Sequence, residues 1–265
     1  MKSIKYLVVL ACMTLGMTNV AKAQKDLTIT VNGVSFTMKY VEGGTFMMGA
    51  QKTNTDGQNY ESGAREDESP VHSVTVTSFY MGETEVTQAL WEAVMSSNPS
   101  REICRGDNLP VEKVTWNDCQ EFISKLNQLT GKNFRLPTES EWEFAAKGGK
   151  KSKGYKYAGS NSVDDVAWNL DNGDRRELYA VKTKLPNELG LYDMSGNVQE
   201  WCSDWYGEYS SDSQTNPTGP SDGKYHVLRG GSVFWVGLEC RVCFRYKAMP
   251  NQTLYYFGLR LALLE

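Results

Sequence analysis

Apolar and polar residues alternate from Leu27 to Val41 (LTITVNGVSFTMKYV) around Asn32-Gly33, and this period of two predicts a pair of strands joined by a tight hairpin turn. Strand character extends to Met48 and returns in VHSVTVTSFYM (71–81), a further strand candidate. Between them, residues 51–69 are polar and rich in Gly, Asp and Glu, as in a long loop or insertion. The period then becomes helical. In TQALWEAVM (87–95), Thr87 is placed to cap a helix with Leu90, Trp91 and Val94 on one face. NDCQEFISKLNQL (117–129) predicts a second helix, capped by Asn117 with Gln120 three residues on, with Phe122, Ile123 and Leu126 inward and Gly131 beyond its end. LPTESEWEFAAKGG (136–149) predicts a third, with a Thr138/Glu141 capping box, Trp142 and Ala145 or Ala146 inward, and Gly148-Gly149 as its stop. After Gly149 short strands and turns take over, with no long helical run. No repeat, low-complexity stretch or linker divides the mature chain.

Composition narrows the class. The chain has 265 residues, 40% hydrophobic and 23% charged, as an ordinary globular domain with a large core does. A net charge of −4 and the lack of a Lys/Arg-rich run exclude nucleic acid and anionic membrane as main partners. At the start, Lys2 and Lys5 precede an apolar stretch from Tyr6 to about Met17, and Ala21-Lys22-Ala23 fits a cleavage site before Gln24. Residues 1–23 are therefore expected to be a signal peptide, 24–41 a hairpin leading into the domain, and 42–265 the domain itself. The expected location is periplasmic or secreted. No membrane span is expected, because the apolar stretch falls short of about 20 residues. A lipoprotein acylated at Cys12 is the alternative. The mature chain keeps Cys104, Cys119, Cys202, Cys240 and Cys243, an odd set that leaves at least one thiol unpaired, and spacing does not fix the pairing.

Several long strings then occur in one order: GGTFMMG (43–49), EVTQALWEAVM (85–95), LPVEKVTWNDCQEF (109–122), FRLPTESEWEFAAKGG (134–149), ELGLYDMSGNVQEW (188–201), RGGS (229–232), CRVCFR (240–245) and GLRLAL (258–263). The chain resembles the formylglycine-generating enzyme, or sulfatase-modifying factor, family. That resemblance implies an α+β, complex C-type-lectin-like single domain with much irregular structure. It also implies bound calcium, and a role that differs among members: oxidase, ligand-binding module or partner of another catalytic domain.

The stretch GLYDMSGNVQEW supports a metal on its own chemistry, since calcium favours mixed carboxylate and carbonyl oxygens. By the resemblance, a first structural calcium site uses the side chains of Asp193 and Glu200 with the carbonyls of Gly196 and Val198. A second starts at Asn169 and Leu170, with Asp174 as a further ligand. The family's oxidases bind copper(I) through two cysteines shortly after the GGS turn, to convert a sulfatase cysteine into formylglycine. Counting from Ser232, the first position is Trp235, and the stretch before Arg241 is too short for the second. Copper is therefore not expected. Cys240 and Cys243 are left as a displaced, alternative pair, against which the resemblance favours a Cys202–Cys240 disulfide. Cys104–Cys119 is the other expected pair, and Cys243 the odd thiol. With only His72 and His226, the histidine-built iron site of other members is closed.

The last part of the chain is unusually apolar. Phe234, Trp235, Val236, Leu238, Phe244, Tyr246, Tyr255 and Tyr256, with Val233, Leu254 and Phe257 among them, stand where relatives usually carry polar residues. These groups are expected to face solvent as a surface for an unknown protein or glycan ligand. The block also resembles the C-terminal block of family receptors diversified by retroelements at asparagine codons. Trp235, Lys247, Met249 and Gln252 lie outside the changes such codons permit. Arg229, Arg241, Arg245 and Arg260 are expected to hold strands and turns. The leading expectation is an exported binding module without oxidase activity. The alternatives are a formylglycine-generating oxidase and an accessory subunit of an envelope complex.

Overall fold

The computed structural model describes residues 25–173 and 177–264. The expected signal segment, Cys12 and Asp174 lie outside the described residues. β1 (Leu27–Val31) and β2 (Val34–Val41) pair antiparallel about Asn32 and Gly33, whose φ values of 48° and 87° are those a primed hairpin turn demands. β3 (Gly44–Met48) and β4 (His72–Val76) pair antiparallel, with the polar 51–65 excursion between them, and β5 (Phe79–Gly82) follows. α1 (Gln88–Met95) is capped by Thr87, whose hydroxyl accepts from the Leu90 amide.

α2 (Trp116–Thr130) starts two residues before the place expected. Thr115, not Asn117, caps it: the Thr115 hydroxyl accepts from the Asp118 amide and Asp118 accepts from the Thr115 amide. This closed pair satisfies two helix-end groups at once. It leaves Asn117 inside the first turn. After β6 (Phe134–Arg135), α3 (Glu139–Ala146) carries the predicted Thr138/Glu141 box, and all of its residues are buried. A helix buried on every side must find partners for its glutamates. The C-terminal block supplies them for Glu139 and Glu143, and Arg135 of β6 pairs with Glu141.

Beyond α3 come α4 (Val163–Val166), β7 (Ala167–Trp168), β8 (Ser195–Gly196), β9 (Gln199–Trp205), β10 (Gln214–Thr215), β11 (His226–Arg229), β12 (Arg245–Ala248), β13 (Phe257–Gly258) and β14 (Ala262–Leu264). The sheets run β1-β2-β5-β14-β6, β10-β4-β3, β12-β11-β9-β13 and β7-β8. The expected N-terminal hairpin is thus part of the first sheet, since β2 pairs with β5. One apolar core gathers α1, α2 and that sheet around Trp91, Phe122, Trp201 and Phe257. A second lies around Trp142 and Phe144 of α3.

Candidate functional site

Four buried arginines fasten the segment from β11 to β14. Arg229 pairs with Glu143 and donates to the carbonyls of Cys243 (3.1 Å) and Phe244 (2.7 Å). Arg241 makes two 2.8 Å bonds to Glu68, and Arg245 grips Glu139 through Nε (2.6 Å) and Nη2 (2.8 Å). Arg260 holds Glu200 (2.7 Å) and the Gly82 carbonyl (2.9 Å). Planar guanidinium forks suit such two-point pairing inside a core, and an unpaired charge there is costly. The loops are thereby fixed without a regular hydrogen-bond ladder.

On this fixed backbone much of the predicted apolar set turns outward. Val236 (40% exposed), Leu238 (45%) and Tyr255 (43%) are exposed, and Phe234, Trp235, Tyr246 and Tyr256 are half-buried. Their rings meet edge to face: Phe234 with Tyr255 at 4.7 Å, Trp235 with Tyr246 at 4.8 Å, and Tyr255 with Tyr256 at 5.3 Å between centroids. Tyr256 then contacts Phe257 (5.2 Å), and Phe257 contacts Trp201 (5.3 Å) in the core. The surface is thus the outer end of a continuous aromatic stack and is held rigidly.

Phe244, Val233 and Phe257 do not face solvent as expected; all three are buried. Arg229 draws the 243–244 carbonyls inward, and the Phe244 ring lies between Trp235 (5.5 Å) and the Arg65 guanidinium (5.3 Å). A cation joins the surface that local sequence did not reveal. The Arg101 guanidinium lies 4.9 Å from the Tyr255 ring and 5.5 Å from Phe234, tied to buried Glu112 at 2.8 Å. Its partners in the chain are too distant for any local pattern to mark it.

At the first expected calcium set, Asp193 and Glu200 are both buried, together with Glu85. Glu200 is engaged by Arg260 and by the Trp142 indole (2.6 Å), and Asp193 accepts from the Lys182 amide (2.9 Å). Glu85 accepts from the Val198 amide (2.9 Å). Burial, then the charges of Asp193 and Glu200, hold the Glu85 carboxyl well above the usual carboxylate range. Three carboxylates share one guanidinium, a surplus of negative charge among hard oxygen donors, and that donor chemistry fits calcium. Among the described residues no three His, Cys, Asp or Glu side chains are placed to hold a metal by themselves, so the carbonyls of Gly196 and Val198 would have to contribute.

At the second set Asn169 is buried, and Asp174 lies outside the described residues. The Asn169 side-chain oxygen accepts from the Asp171 amide (2.8 Å), its carbonyl accepts from Gly173 (2.9 Å), and Leu170 donates its amide to Trp235 (2.9 Å). The turn uses the oxygens of Asn169 for itself.

Comparison with known proteins places this geometry in a family. The sulfatase-modifying factor enzyme 1-like domain matches residues 34–264. The chain belongs to this family. The chaperone protein LppX of Paenibacillus barcinonensis is 34% identical over 213 residues, 62% of this chain and 71% of LppX. The formylglycine-generating enzyme of Streptomyces coelicolor is 28% identical over 83% of this chain and 87% of its own length. The serine/threonine-protein kinase Pkn1 of Chlamydia pneumoniae is 31% identical over 85% of this chain, which spans only 37% of the kinase. Among solved structures, Treponema denticola variable protein 1 superposes with a TM-score of 0.77 at 32% identity, covering 91% of this chain and 99% of that one. PvdO from Pseudomonas aeruginosa shares the fold, with a TM-score of 0.74 at 22% identity over 92% of this chain and 100% of its own.

In this member of the sulfatase-modifying factor family, the place that the resemblance gives to the first copper thiolate is occupied by Trp235, embedded among Phe244, Tyr246 and Tyr256. Cys240 and Cys243 are both buried, and burial pushes each thiol up to about 12. They sit in different apolar clusters, Cys240 beside Tyr157 and Val166, Cys243 beside Ala50 and Ala64. A thiol held protonated is a poor nucleophile and a poor soft-metal ligand. The five cysteines among the described residues are all buried, and no disulfide joins them there. The expected Cys104–Cys119 and Cys202–Cys240 bonds are therefore absent, because these cysteines pack into separate clusters.

Proposed function

We propose that this chain is an exported binding member of the sulfatase-modifying factor family, without oxidase activity, which takes a protein or glycan ligand on its C-terminal aromatic surface. The observation that carries the reading is the ring stack from Phe234 and Tyr255 to Trp235 and Tyr246, half exposed and braced by Arg101. Rigid aromatic groups give contact area at low entropic cost. The protonated, separately buried Cys240 and Cys243 support the absence of a thiolate pair. The relatives named a chaperone and a variable protein support a binding role over chemistry. Export follows from the N-terminal sequence, and among the described residues no helix is long and apolar enough to cross a membrane. Calcium enters as a structural ion at Asp193 and Glu200, and copper has no role.

The test has two arms. Incubation with copper(I), oxygen and a sulfatase-type cysteine peptide is expected to leave the peptide mass unchanged beside an active control enzyme. A photo-crosslinking residue at exposed Leu238 is expected to capture a ligand from envelope extract, and the capture to be lost when Trp235 and Tyr255 are both changed to Ala. Conversion of the peptide, or capture indifferent to those changes, overturns the reading.

A further inference from the structure

A cleft of about 540 Å³ opens where the end of β9 meets the start of α3 and the 207–220 loop, which β10 pins beside β4. It is separate from the aromatic surface. Arg245 lines the cleft while Tyr246, its neighbour on β12, belongs to the ring stack, and successive strand residues point to opposite faces. Its polar floor is built from buried side chains: Glu139 (5% exposed), Asp204 (4%) and Arg245 (1%).

The charges of that floor do not balance. Arg245 is the one cation among the described residues lining the cleft, and its guanidinium is already committed to both oxygens of Glu139 and to the Asp67 carbonyl (2.8 Å). Glu139 thus has its counter-ion. Asp204 has none. Its Oδ2 accepts from the Glu139 amide (3.0 Å) and the Ser203 hydroxyl (2.9 Å), whereas Oδ1 accepts no hydrogen bond among the described residues. That oxygen faces the side of the cleft closed by Gly219, where an added Cβ would stand 3.6 Å from it and 2.8 Å from the Trp205 carbonyl. Glu208, exposed at the rim, adds another carboxylate, and Trp205, Tyr209 and His72 supply ring walls.

We propose that this cleft binds a protonated primary amine, with the ammonium seated on Oδ1 of Asp204. Oδ1 is the open oxygen of an otherwise buried side chain that has no cation beside it, and an N–H-bearing cation supplies both a donor and a counter-charge while the rings favour its charge. A guanidinium fits less well, because its fork requires two acceptors and one oxygen is open. A metal ion fits less well too: among the described residues no three ligating side chains are grouped to hold one. The amine has two possible sources, a small free amine or the lysine side chain of a peptide.

The experiment titrates n-butylammonium, a lysine blocked at both backbone ends, and neutral N-butylacetamide into the full protein, followed by amide NMR. Saturable shifts at Gly207, Gly219 and the Trp205 indole are expected for both ammonium probes and none for the neutral amide. Tighter binding of blocked lysine assigns a peptide source, and tighter binding of butylammonium a free amine. Asp204→Asn is expected to weaken binding about tenfold or more, and Glu208→Gln, at an exposed position, by about twofold. Equal response to charged and neutral probes, or no saturable shift at those three positions, overturns the proposal. That comparison needs only the unmodified protein, so it decides even if Asp204→Asn fails to fold.

Discussion

At the scale of single residues, buried charge controls how this domain responds to pH. Burial first, and the Glu139 charge second, push the Asp204 carboxyl up to about 7. A carboxyl whose pKa is higher folded than unfolded binds its proton more tightly in the fold. Its stabilising contribution is therefore full below about pH 4 and is lost as pH rises toward 7. Urea denaturation of the wild type and Asp204→Asn at pH 5 and pH 8 is expected to show the wild type losing more stability than the variant, by on the order of 1–3 kcal/mol. Parallel losses would mean that Asp204 ionises normally. Residue identity made the aromatic surface legible, since Phe234, Trp235, Tyr255 and Tyr256 are conspicuous in the text. It did not say which rings are buried. In irregular backbone no period assigns faces, so the burial of Phe244 depends on an arginine fifteen positions earlier that takes its carbonyl.

At the scale of elements, local signals were legible where capping and apolar period agree, as at the β1–β2 turn, α1 and α3. α2 was expected to be capped by Asn117, and the closed Thr115/Asp118 pair prevails instead. Thr115→Ala is expected to cost about 1 kcal/mol and Asn117→Ala less than about 0.5 kcal/mol in chemical denaturation. The reverse order would restore Asn117 as the cap. The two-residue strands β6, β7, β8, β10 and β13 were not legible, because nothing in so short a segment announces a partner far along the chain. The Asp204 cleft escaped notice for the same reason: it joins β4, β9, α3 and β12, which the sequence lists far apart.

At the scale of the molecule, calcium bound among the surplus carboxylates around Arg260 would contribute to stability. Millimolar calcium in place of a chelator is expected to raise the melting temperature by on the order of 5 °C, and Asp193→Asn to abolish the rise. Identical melts in calcium and chelator would remove the ion from the account. The family was legible because its strings recur in order along most of the chain, whereas the disulfides inferred from it were not, since a cysteine's partner depends on which cluster buries it. One further consequence lies in the first sheet. β14, residues 262–264, sits between β5 and β6, so the strand that joins the two halves of the sheet is the last of the five to be synthesised. On the ribosome, β5 and β6 wait with open edges for it, and this sheet closes only in a late step. A peptide copying residues 257–264 would compete for that vacant slot in a nascent chain and leave a finished molecule untouched.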